Sequence, residues 1–447
     1  MNLSERLENT AVIGAAGKMG SGITLLLAKE LARTRLTPEG KGKVCRLALV
    51  DVSEAALDGL LKYIRGQITK LAEKSIGEIR TLYKDREDLV ENGEMVDEFV
   101  AQAMSILRPS TDLGAAKGAR LVFEAVVENE DLKIDLLGKV KGFADPDAWY
   151  LTNTSSIPIG GLDGKLGLGG RIIGYHFYNP PAVQKLLELI TSDKTLPALK
   201  EAGTELAKRL GKKIVPSHDV AGFIGNGHFM RDGLHAIAAA DRVRKGGDWA
   251  PALYKMNRVS QDWLLRPMGI FQLVDYVGVD VFQCILKVMD RYLPGKGLHS
   301  DFIDSLVGKK VLGGQNHDGS QKDGILKYER GRPAAVYDPG KGAYVPIDAE
   351  GWSSAADKEF GPLPEGFRPW KALLADRKKE EAIEAHFAAL RSMKTEGASL
   401  AMEYLKASKK IGEGLVKDGV AAAPKDVNDV LMSGFFHLYG PINEYTG

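Results

Sequence analysis

The sequence of 447 residues contains little cysteine and no excess of either charge. Cys45 and Cys284 are separated by most of the chain, so a disulfide framework is not expected and a reducing compartment, the cytoplasm, is predicted. The 60 Lys and Arg residues nearly balance the 59 Asp and Glu residues. This balance excludes the extended basic surface that binds nucleic acid or an anionic membrane.

Segments that cross or are targeted to membranes are also missing. Uninterrupted apolar stretches such as Leu25 to Ala28 are far shorter than the ~20 residues of a membrane helix. The N-terminal sequence MNLSERLENT carries acids and no apolar core, which argues against a secretion signal. We therefore expect a soluble protein of two or three domains.

Metal-binding and nucleotide-phosphate motifs are equally absent. The sequence has no CxxC, no HExxH and no P-loop. His228 and His235 stand at positions i and i+7 of one predicted helix, too far apart to bind one zinc ion. No metal site is expected.

The N-terminal segment has the order of a dinucleotide-binding unit. A short strand at 10–13 is followed by Gly14, Gly17 and Gly20 and then by a helical pattern at 23–32. Glycines here let the backbone approach a pyrophosphate at the helix N-terminus. The spacing is GxxGxxG, with Ala15 where GxGxxG would place a glycine, so the turn is predicted to be shifted by one residue. A glycine-rich helix start without a ligand is the alternative.

A second predicted strand, 46–50, ends on Asp51. An acid at this place accepts hydrogen bonds from the adenosine ribose and repels a 2′-phosphate, which predicts NAD rather than NADP. The separation from Gly14 is longer than the ~20 residues usual for this fingerprint. We expect the excess to form a surface loop at 34–43.

Polar side chains follow three further predicted strands. The strand starting at Arg120 ends in acids that include Glu128, and the strand 148–152 is followed by the hydroxyl-rich segment 153–156. A third strand, 171–175, delivers His176, after which Asn179-Pro180-Pro181 turns the chain and residues 185–190 return with Glu188. A histidine facing a carboxylate suits a general base, because the acid fixes one tautomer and stabilises the imidazolium. The alternative is a core histidine and a surface carboxylate.

These patterns predict an α/β fold with a doubly wound, mostly parallel sheet of Rossmann type, followed by an all-α C-terminal region. The segments at 258–276 and 426–445 share an amide- or acid-rich helix start, an apolar stretch, a glycine and a terminal acid–Tyr pair, which predicts a duplicated helical unit. The predicted parts are a dinucleotide domain at 1–216 with a helical excursion at 54–105, a first helical domain at 217–312, a loop-rich insertion at 313–365 and a second helical unit at 366–447. Within the insertion, the alternation at 325–328 and around 343–346 suggests a small hairpin.

Seven stretches, taken together, resemble the L-3-hydroxyacyl-CoA dehydrogenase family. They occur in the order of the family and cover residues 10 to about 283. The stretches are VIGAAGKMGSGI, LALVDVS, LVFEAVVENEDLK, LTNTSSIPI, GYHFYNPPAVQKLLELI, GFIGN and MGIFQLVDYVGVD.

The resemblance implies an NAD-dependent oxidation of (S)-3-hydroxyacyl-CoA to 3-oxoacyl-CoA, as in fatty-acid β-oxidation, with an enoyl-CoA hydratase or a thiolase as possible partners. It implies that His176 is the catalytic base and Glu188 its orienting acid. Ser155 and Asn226 would hydrogen-bond the reacting 3-oxygen. The residues implied to contact NAD are Gly14, Gly17, Met19, Gly20, Asp51, Glu128, Lys133, Ser155 and Asn179.

Three features depart from the family pattern. The glycine turn has an extra residue, Gly227 replaces the arginine after the GFIxN asparagine, and the C-terminal region is longer than in the simplest members, where it makes a dimer. A true duplication would let one chain supply both halves of that interface. A dehydrogenase of free 3-hydroxy acids or sugar acids and a catalytically silent binding protein are the alternatives. Acyl chain length, direction and oligomeric state stay open.

Overall fold

The structure, a computed structural model, describes residues 1–38, 40–316, 319–348 and 351–446. The chain divides into two compact units, Met1–Asp219 and Val220–Gly447. The predicted boundary after residue 216 lies three residues earlier than this division. None of the described helices combines the length and the hydrophobicity that crossing a membrane requires.

The first unit is built on an eight-stranded sheet with the order β3-β2-β1-β4-β5-β6-β7-β8. Neighbouring strands are parallel except for the antiparallel pair β6 and β7. The predicted mostly parallel, doubly wound sheet is therefore confirmed. The strands are β1 (Asn9–Ile13), β2 (Arg46–Val50), β3 (Leu107–Ser110), β4 (Leu121–Glu124), β5 (Trp149–Thr152), β6 (Ile172–Phe177), β7 (Leu186–Thr191) and β8 (Lys213–His218).

Helices cover this sheet because each buries one apolar stripe. In α2, Ile23, Leu27 and Leu31 repeat at helical spacing and are at most 1% exposed. The predicted excursion at 54–105 forms the helices α3, α4 and α5. The helices are α1 (Leu3–Leu7), α2 (Lys18–Leu36), α3 (Glu54–Lys74), α4 (Ile76–Leu82), α5 (Asn92–Ser105), α6 (Glu130–Lys141), α7 (Ile159–Leu166) and α8 (Pro197–Arg209).

Three elements of the first unit differ from the prediction. Helix α2 continues to Leu36, so the loop expected from residue 34 begins later. Strand β3 was not predicted, and β8 continues through Pro216, past the predicted end of the dinucleotide domain. Both strands lie at the edges of the sheet and contain a proline, which an edge strand tolerates because one side of its backbone has no partner strand.

The second unit is mainly helical and packs around large apolar side chains that include Trp263, Phe282 and Phe387. Its helices are α9 (Gly225–Arg244), α10 (Trp249–Arg258), α11 (Ile270–Val277), α12 (Val279–Tyr292), α13 (Asp301–Gly308), α14 (Trp352–Phe360), α15 (Trp370–Leu374), α16 (Lys379–Ser392), α17 (Glu396–Lys417) and α18 (Pro424–Gly434). A helical C-terminal region was predicted and is confirmed.

The segment at 313–365, predicted to be mostly loop, contains a small antiparallel sheet and α14. The sheet has the order β11-β10-β9, with β9 (Leu326–Glu329), β10 (Arg332–Asp338) and β11 (Ala343–Pro346). The buried carboxylate of Asp275 in α11 accepts the N–H groups of Ile325 and Leu326 at 2.6 and 2.8 Å. The alternation at 325–328 and around 343–346, which indicated a small hairpin, coincides with β9 and β11. The contact of Asp275 with β9 is tertiary and did not follow from the sequence.

The two segments predicted to be duplicated share one local contact. The Asn257 side chain accepts the N–H of Phe271 at 3.1 Å, and the Asn428 side chain accepts the N–H of Ile442 at 3.0 Å. In each segment, a glycine shortly before that N–H lies against the asparagine. The first segment continues as α11, whereas the second forms turns after its glycine, so duplication stays a prediction.

Candidate active site

The glycine turn connects β1 to α2 through close backbone contacts. Gly14 has a φ of +80°, and a Cβ at this residue would lie 2.7 Å from the carbonyl oxygen of Ala125. A Cβ at Gly20 would lie 1.9 Å from the carbonyl oxygen of Gly14. Gly17 is the N-cap of α2 and makes no side-chain cap. The extra residue is therefore absorbed in a turn where Gly14 and Gly20 have no room for a side chain.

This turn fits the pyrophosphate of a dinucleotide. The first turn of α2 has no acidic residue, so the positive end of the helix dipole is not neutralised by the chain. Met19 lies in this first turn and is partly buried. The backbone N–H groups of this first turn and the helix dipole together favour an anion at this place.

Asp51 lies beside the turn, although it is distant in sequence. Its Oδ2 accepts the N–H of Ala16 at 2.9 Å, and its Oδ1 accepts the N–H of Val52 at 2.8 Å. Because parallel strands end at the same edge of the sheet, a carboxylate after β2 reaches the turn after β1. The arrangement fits a dinucleotide whose ribose hydroxyls donate to Asp51.

A buried ion network lies at the carboxyl end of β4. Lys133 in α6 is 1% exposed, and its Nζ lies 2.7 Å from Oε1 of Glu124 and 3.5 Å from Oε2 of Glu128. Burial opposes the charge of Lys133, but the two carboxylates outweigh it and raise its pKa above the usual value. Glu124 was not predicted as a site residue. An acid inside the apolar strand LVFE was the available signal.

Glu128 holds the segment that carries Ser155. Its Oε1 accepts the N–H groups of Ser155 and Ser156, both at 2.9 Å, and the hydroxyls of Thr154 and Ser156, both at 2.7 Å. Burial opposes ionisation, but Lys133 and these hydrogen bonds hold the pKa of Glu128 below its usual value. The carboxylate therefore stays charged and orders the loop.

A second carboxylate holds the far end of the same loop. Asp219 accepts the N–H groups of Ile159 and Gly160, at the start of α7, at 2.5 and 2.6 Å. Burial raises the pKa of Asp219, and it outweighs these two hydrogen bonds, which lower the pKa. The segment at 153–160, called the Ser155 loop below, is thus anchored at both ends within the first unit.

The predicted hairpin forms from β6 and β7, and His176 is the register partner of Glu188. Nδ1 of His176 lies 2.9 Å from Oε2 of Glu188, whose side chain is fully buried. A carboxylate partner places the proton on Nδ1, so Nε2 carries the lone pair. The N–H of Phe177 donates to Oδ1 of Asn153 at 2.9 Å, which ties this strand end to the Ser155 loop.

The same Oε2 of Glu188 accepts a second hydrogen bond, from the hydroxyl of Tyr178 at 2.7 Å. The rings of Tyr178 and His176 lie 4.8 Å apart, measured between centroids. Burial, and then the charge of Glu188, raise the pKa of Tyr178 well above 10. The sequence analysis did not single out Tyr178, because only the folded hairpin brings its hydroxyl to Glu188.

The turn of the hairpin, which includes Asn179, lies against both α2 and the start of β8. A Cβ at Gly22 in α2 would lie 2.8 Å from Cδ of Pro181. From the other side, Nζ of Lys212 donates to the carbonyl oxygens of Pro181 and, at 2.7 Å, of Gln184. Burial lowers the pKa of Lys212 to about 8. The hairpin turn is therefore packed against the helix that follows the glycine turn.

Asn226 lies in the second unit, near the start of α9, whereas His176, Glu188 and Ser155 lie in the first. Gly227, which replaces an arginine of the family pattern, faces α17. A Cβ at Gly227 would lie 3.0 Å from Cδ2 of Leu415. The long C-terminal region thus occupies the space beside this residue, which gives a physical reason for the replacement.

Two family models match the chain. The model described as "3-hydroxyacyl-CoA dehydrogenase, NAD binding domain" matches residues 9–220. The model described as "3-hydroxyacyl-CoA dehydrogenase, C-terminal domain" matches residues 256–323. The first match includes the glycine turn, Asp51, the Ser155 loop and the His176 hairpin.

Curated relatives and solved structures agree with these matches. The mitochondrial hydroxyacyl-coenzyme A dehydrogenase of Rattus norvegicus is 30% identical over 319 residues, 71% of this chain and 91% of the relative. The human protein of the same name has the same identity and coverage. The structure of 3-hydroxybutyryl-CoA dehydrogenase from Escherichia coli K12 is 19% identical, with a TM-score of 0.63 over 98% of this chain and 90% of that one. At this identity the likeness shows the fold alone, and it extends over the C-terminal region.

Proposed function

Because the chain belongs to the 3-hydroxyacyl-CoA dehydrogenase family, we propose that it oxidises (S)-3-hydroxyacyl-CoA to 3-oxoacyl-CoA as in fatty-acid β-oxidation. The family makes the protein an NAD-binding oxidoreductase. The observation that carries the proposal is the hydrogen bond between His176 and the buried Glu188, on a hairpin packed against the helix of the glycine turn.

His176 has the geometry of the general base. A 3-hydroxyl does not lose its proton unaided at neutral pH, and Nε2 of His176 is the nitrogen that accepts it. Glu188 then offsets the charge of the imidazolium through Nδ1. Base catalysis of this kind contributes about 10² to 10⁴ in rate. Ser155 and Asn226 are proposed to hydrogen-bond the 3-oxygen as its charge develops.

NAD bound in this unit supplies the hydride acceptor. The backbone of Gly14, Gly17 and Gly20 would hold its pyrophosphate, and Asp51 would accept the ribose hydroxyls. Met19, Ser155 and Asn179 are proposed as further contacts.

Glu128 and Lys133 are the remaining proposed contacts of NAD. The side chain of Glu128 is 16% exposed, whereas that of Lys133 is 1% exposed and offers almost no surface to a ligand. We therefore assign Lys133 to positioning Glu128.

The test is the rate of NADH formation with matched substrates. (S)-3-hydroxyacyl-CoA thioesters of increasing chain length are compared with their (R) enantiomers, with the free 3-hydroxy acids and with sugar acids. We expect turnover of the (S)-thioesters, and the series gives the chain-length preference. Turnover of free acids without turnover of thioesters would assign the protein to a different substrate class.

We further propose a cytoplasmic location, supported by the two widely separated cysteines. An enoyl-CoA hydratase would supply the 3-hydroxyacyl-CoA and a thiolase would consume the 3-oxoacyl-CoA. Cell fractionation tests the location. Copurification of either activity with the protein tests the partnership.

A further inference from the structure

We infer that Tyr178 is a positioning residue that sets the basicity of His176 through Glu188. The inference deepens the proposed function, since it concerns the residue assigned as the base. It follows from three side chains on one hairpin and from the position of one hydroxyl group.

Glu188 shares a single oxygen between two donors. Oε2 lies 2.7 Å from the hydroxyl of Tyr178 and 2.9 Å from Nδ1 of His176. The Glu188 side chain is fully buried, so water does not screen these contacts as it would at the surface. The phenol ring is tilted by 42° against the imidazole at a centroid distance of 4.8 Å.

The hydroxyl of Tyr178 weakens the pull of Glu188 on the proton of His176. A hydrogen bond to an ionised carboxylate stabilises its charge, and less of that charge then stabilises the imidazolium. The Tyr178 hydroxyl therefore makes His176 a weaker base than Glu188 alone would make it. The same bond limits rotation of the carboxylate and so holds the imidazole in one tautomer and one orientation. Burial keeps the phenol protonated, so it donates throughout the pH range of activity.

Tyr178 stands between Phe177 and Asn179 in the segment HFYNP. A phenylalanine has no donor for Glu188. Substitution to phenylalanine therefore removes the hydroxyl and leaves the ring.

The charged groups on neighbouring elements stay unchanged in such a variant. They are Glu128 on the loop after β4, and Lys212 and Lys213 at the start of β8. Besides His176 and Tyr178, the hairpin at 172–191 carries Tyr175, Lys185 and Glu188 as titratable groups. A change in the titration of His176 can then be assigned to the missing hydroxyl.

The experiment is a pH titration of His176 by nuclear magnetic resonance in the full chain with labelled histidine, for the wild type and Tyr178→Phe. The His176 signal is assigned from its loss in His176→Gln. We expect the pKa of His176 to rise by roughly half a unit or more in Tyr178→Phe. The acidic limb of the kcat/KM profile should move in the same direction, with KM for NAD unchanged.

Tyr175→Phe is the matched control. Tyr175 lies next to His176 on β6, and its side chain points to the opposite face of the sheet. Its buried hydroxyl donates to the carbonyl oxygen of Gly203 at 3.0 Å. This variant should lose stability without moving the titration of His176. Tyr178→Met, which also lacks the donor, repeats the test should the phenylalanine variant not fold.

An unchanged or lowered pKa of His176 in the Tyr178 variants would overturn the inference, as would an equal rise in Tyr175→Phe. The resonance titration needs no substrate, so the inference and the proposed function fail separately. A shifted titration in a protein that oxidises no 3-hydroxyacyl-CoA would sink the proposed function alone. An active protein with an unshifted titration would sink the inference alone.

Discussion

The side chains proposed to bind NAD and to act in catalysis lie at the ends of strands in the first unit. His176 lies close to the end of β6, Asp51 follows β2 and Ser155 follows β5. Parallel strands bring their carboxyl ends to one edge of the sheet. These residues therefore lie along the same edge although the chain separates them. The effect of a substitution at such a residue should fall on binding or on turnover, and less on folding.

Replacing His176 by Gln removes the proposed base and keeps a polar side chain of similar length. We expect kcat with a 3-hydroxyacyl-CoA thioester to fall by about 10² to 10⁴, with the Kd for NAD unchanged. Stopped-flow detection of NADH and a titration of cofactor binding measure the two quantities. Turnover at the wild-type rate would remove His176 from the role of base.

Asp51 should decide between the two nicotinamide cofactors. In Asp51→Ala, the ribose hydroxyls lose a charged acceptor and a 2′-phosphate loses a repelling charge. NAD should bind roughly 10- to 100-fold more weakly, and NADP should lose much less. Glu54→Ala, an exposed acid in the first turn of α3, is the control and should change neither Kd. Equal losses for NAD and NADP would speak against a ribose contact.

At the scale of elements, α6 and the Ser155 loop are joined through buried charged groups. Lys133 of α6 connects Glu124 on β4 to Glu128, and Glu128 accepts hydrogen bonds from the loop. Removing one partner of a buried ion pair leaves an uncompensated charge, which costs more than the pair contributes. The loop position should therefore depend on a lysine that has almost no exposed surface.

Lys133→Met should lower the free energy of unfolding by about 3–5 kcal/mol and reduce kcat through disorder of the loop. Urea unfolding followed by circular dichroism measures the first quantity. Lys139→Met on the same helix is the control, since its ion pair with Asp135 is 58% and 54% exposed. The control should cost less than about 0.5 kcal/mol. A loss in Lys133→Met as small as in the control would contradict a structural role of the network.

At the scale of the whole molecule, the second unit contains a buried polar cluster between α9 and α17. Arg266 donates to Oδ2 of Asp232 at 2.6 Å, and the hydroxyl of Tyr404 donates to the same oxygen at 3.0 Å. Nε2 of His228 lies 3.2 Å from Oγ of Ser408. Burial, helped by the charge of Arg266 and opposed by Asp232, lowers the pKa of His228 to about 4.

This lowered pKa makes stability fall in weak acid. Well above pH ~6.5, His228 is neutral in both the folded and the unfolded protein. Below that pH, the unfolded protein takes up a proton at His228 that the folded protein does not. When the pH falls from 7 to 5, the free energy of unfolding of the wild type should decrease by about 2 kcal/mol more than that of His228→Gln. Comparing the wild type with His228→Gln cancels the pH dependence that comes from groups common to both proteins. Asp275 is one of these groups, and burial raises its pKa to about 7.

Urea unfolding at the two pH values, followed by tryptophan fluorescence, measures this difference. Four of the five tryptophans, at 249, 263, 352 and 370, lie in the second unit, so the signal reports mainly on it. Equal pH dependence in the two proteins would show that His228 is not held neutral by burial.

Local patterns by themselves determined the order of strands and helices in the first unit, the glycine turn and the meeting of His176 with Glu188. Such features depend on short spacings, because a strand, a turn residue and a returning strand lie close along the chain. The edge strand β3, the proline inside β8 and the contact of Asp275 with β9 did not follow from those spacings.

The tertiary structure alone decided which polar groups share a partner. Glu124 bonds Lys133, Glu128 bonds the Ser155 loop, and Tyr178 bonds the acceptor of His176. Each of these contacts depends on which elements are neighbours and on which face a side chain points. Sequence spacing does not contain that information, because a hydrogen bond forms across a distance of about 3 Å in space regardless of separation along the chain.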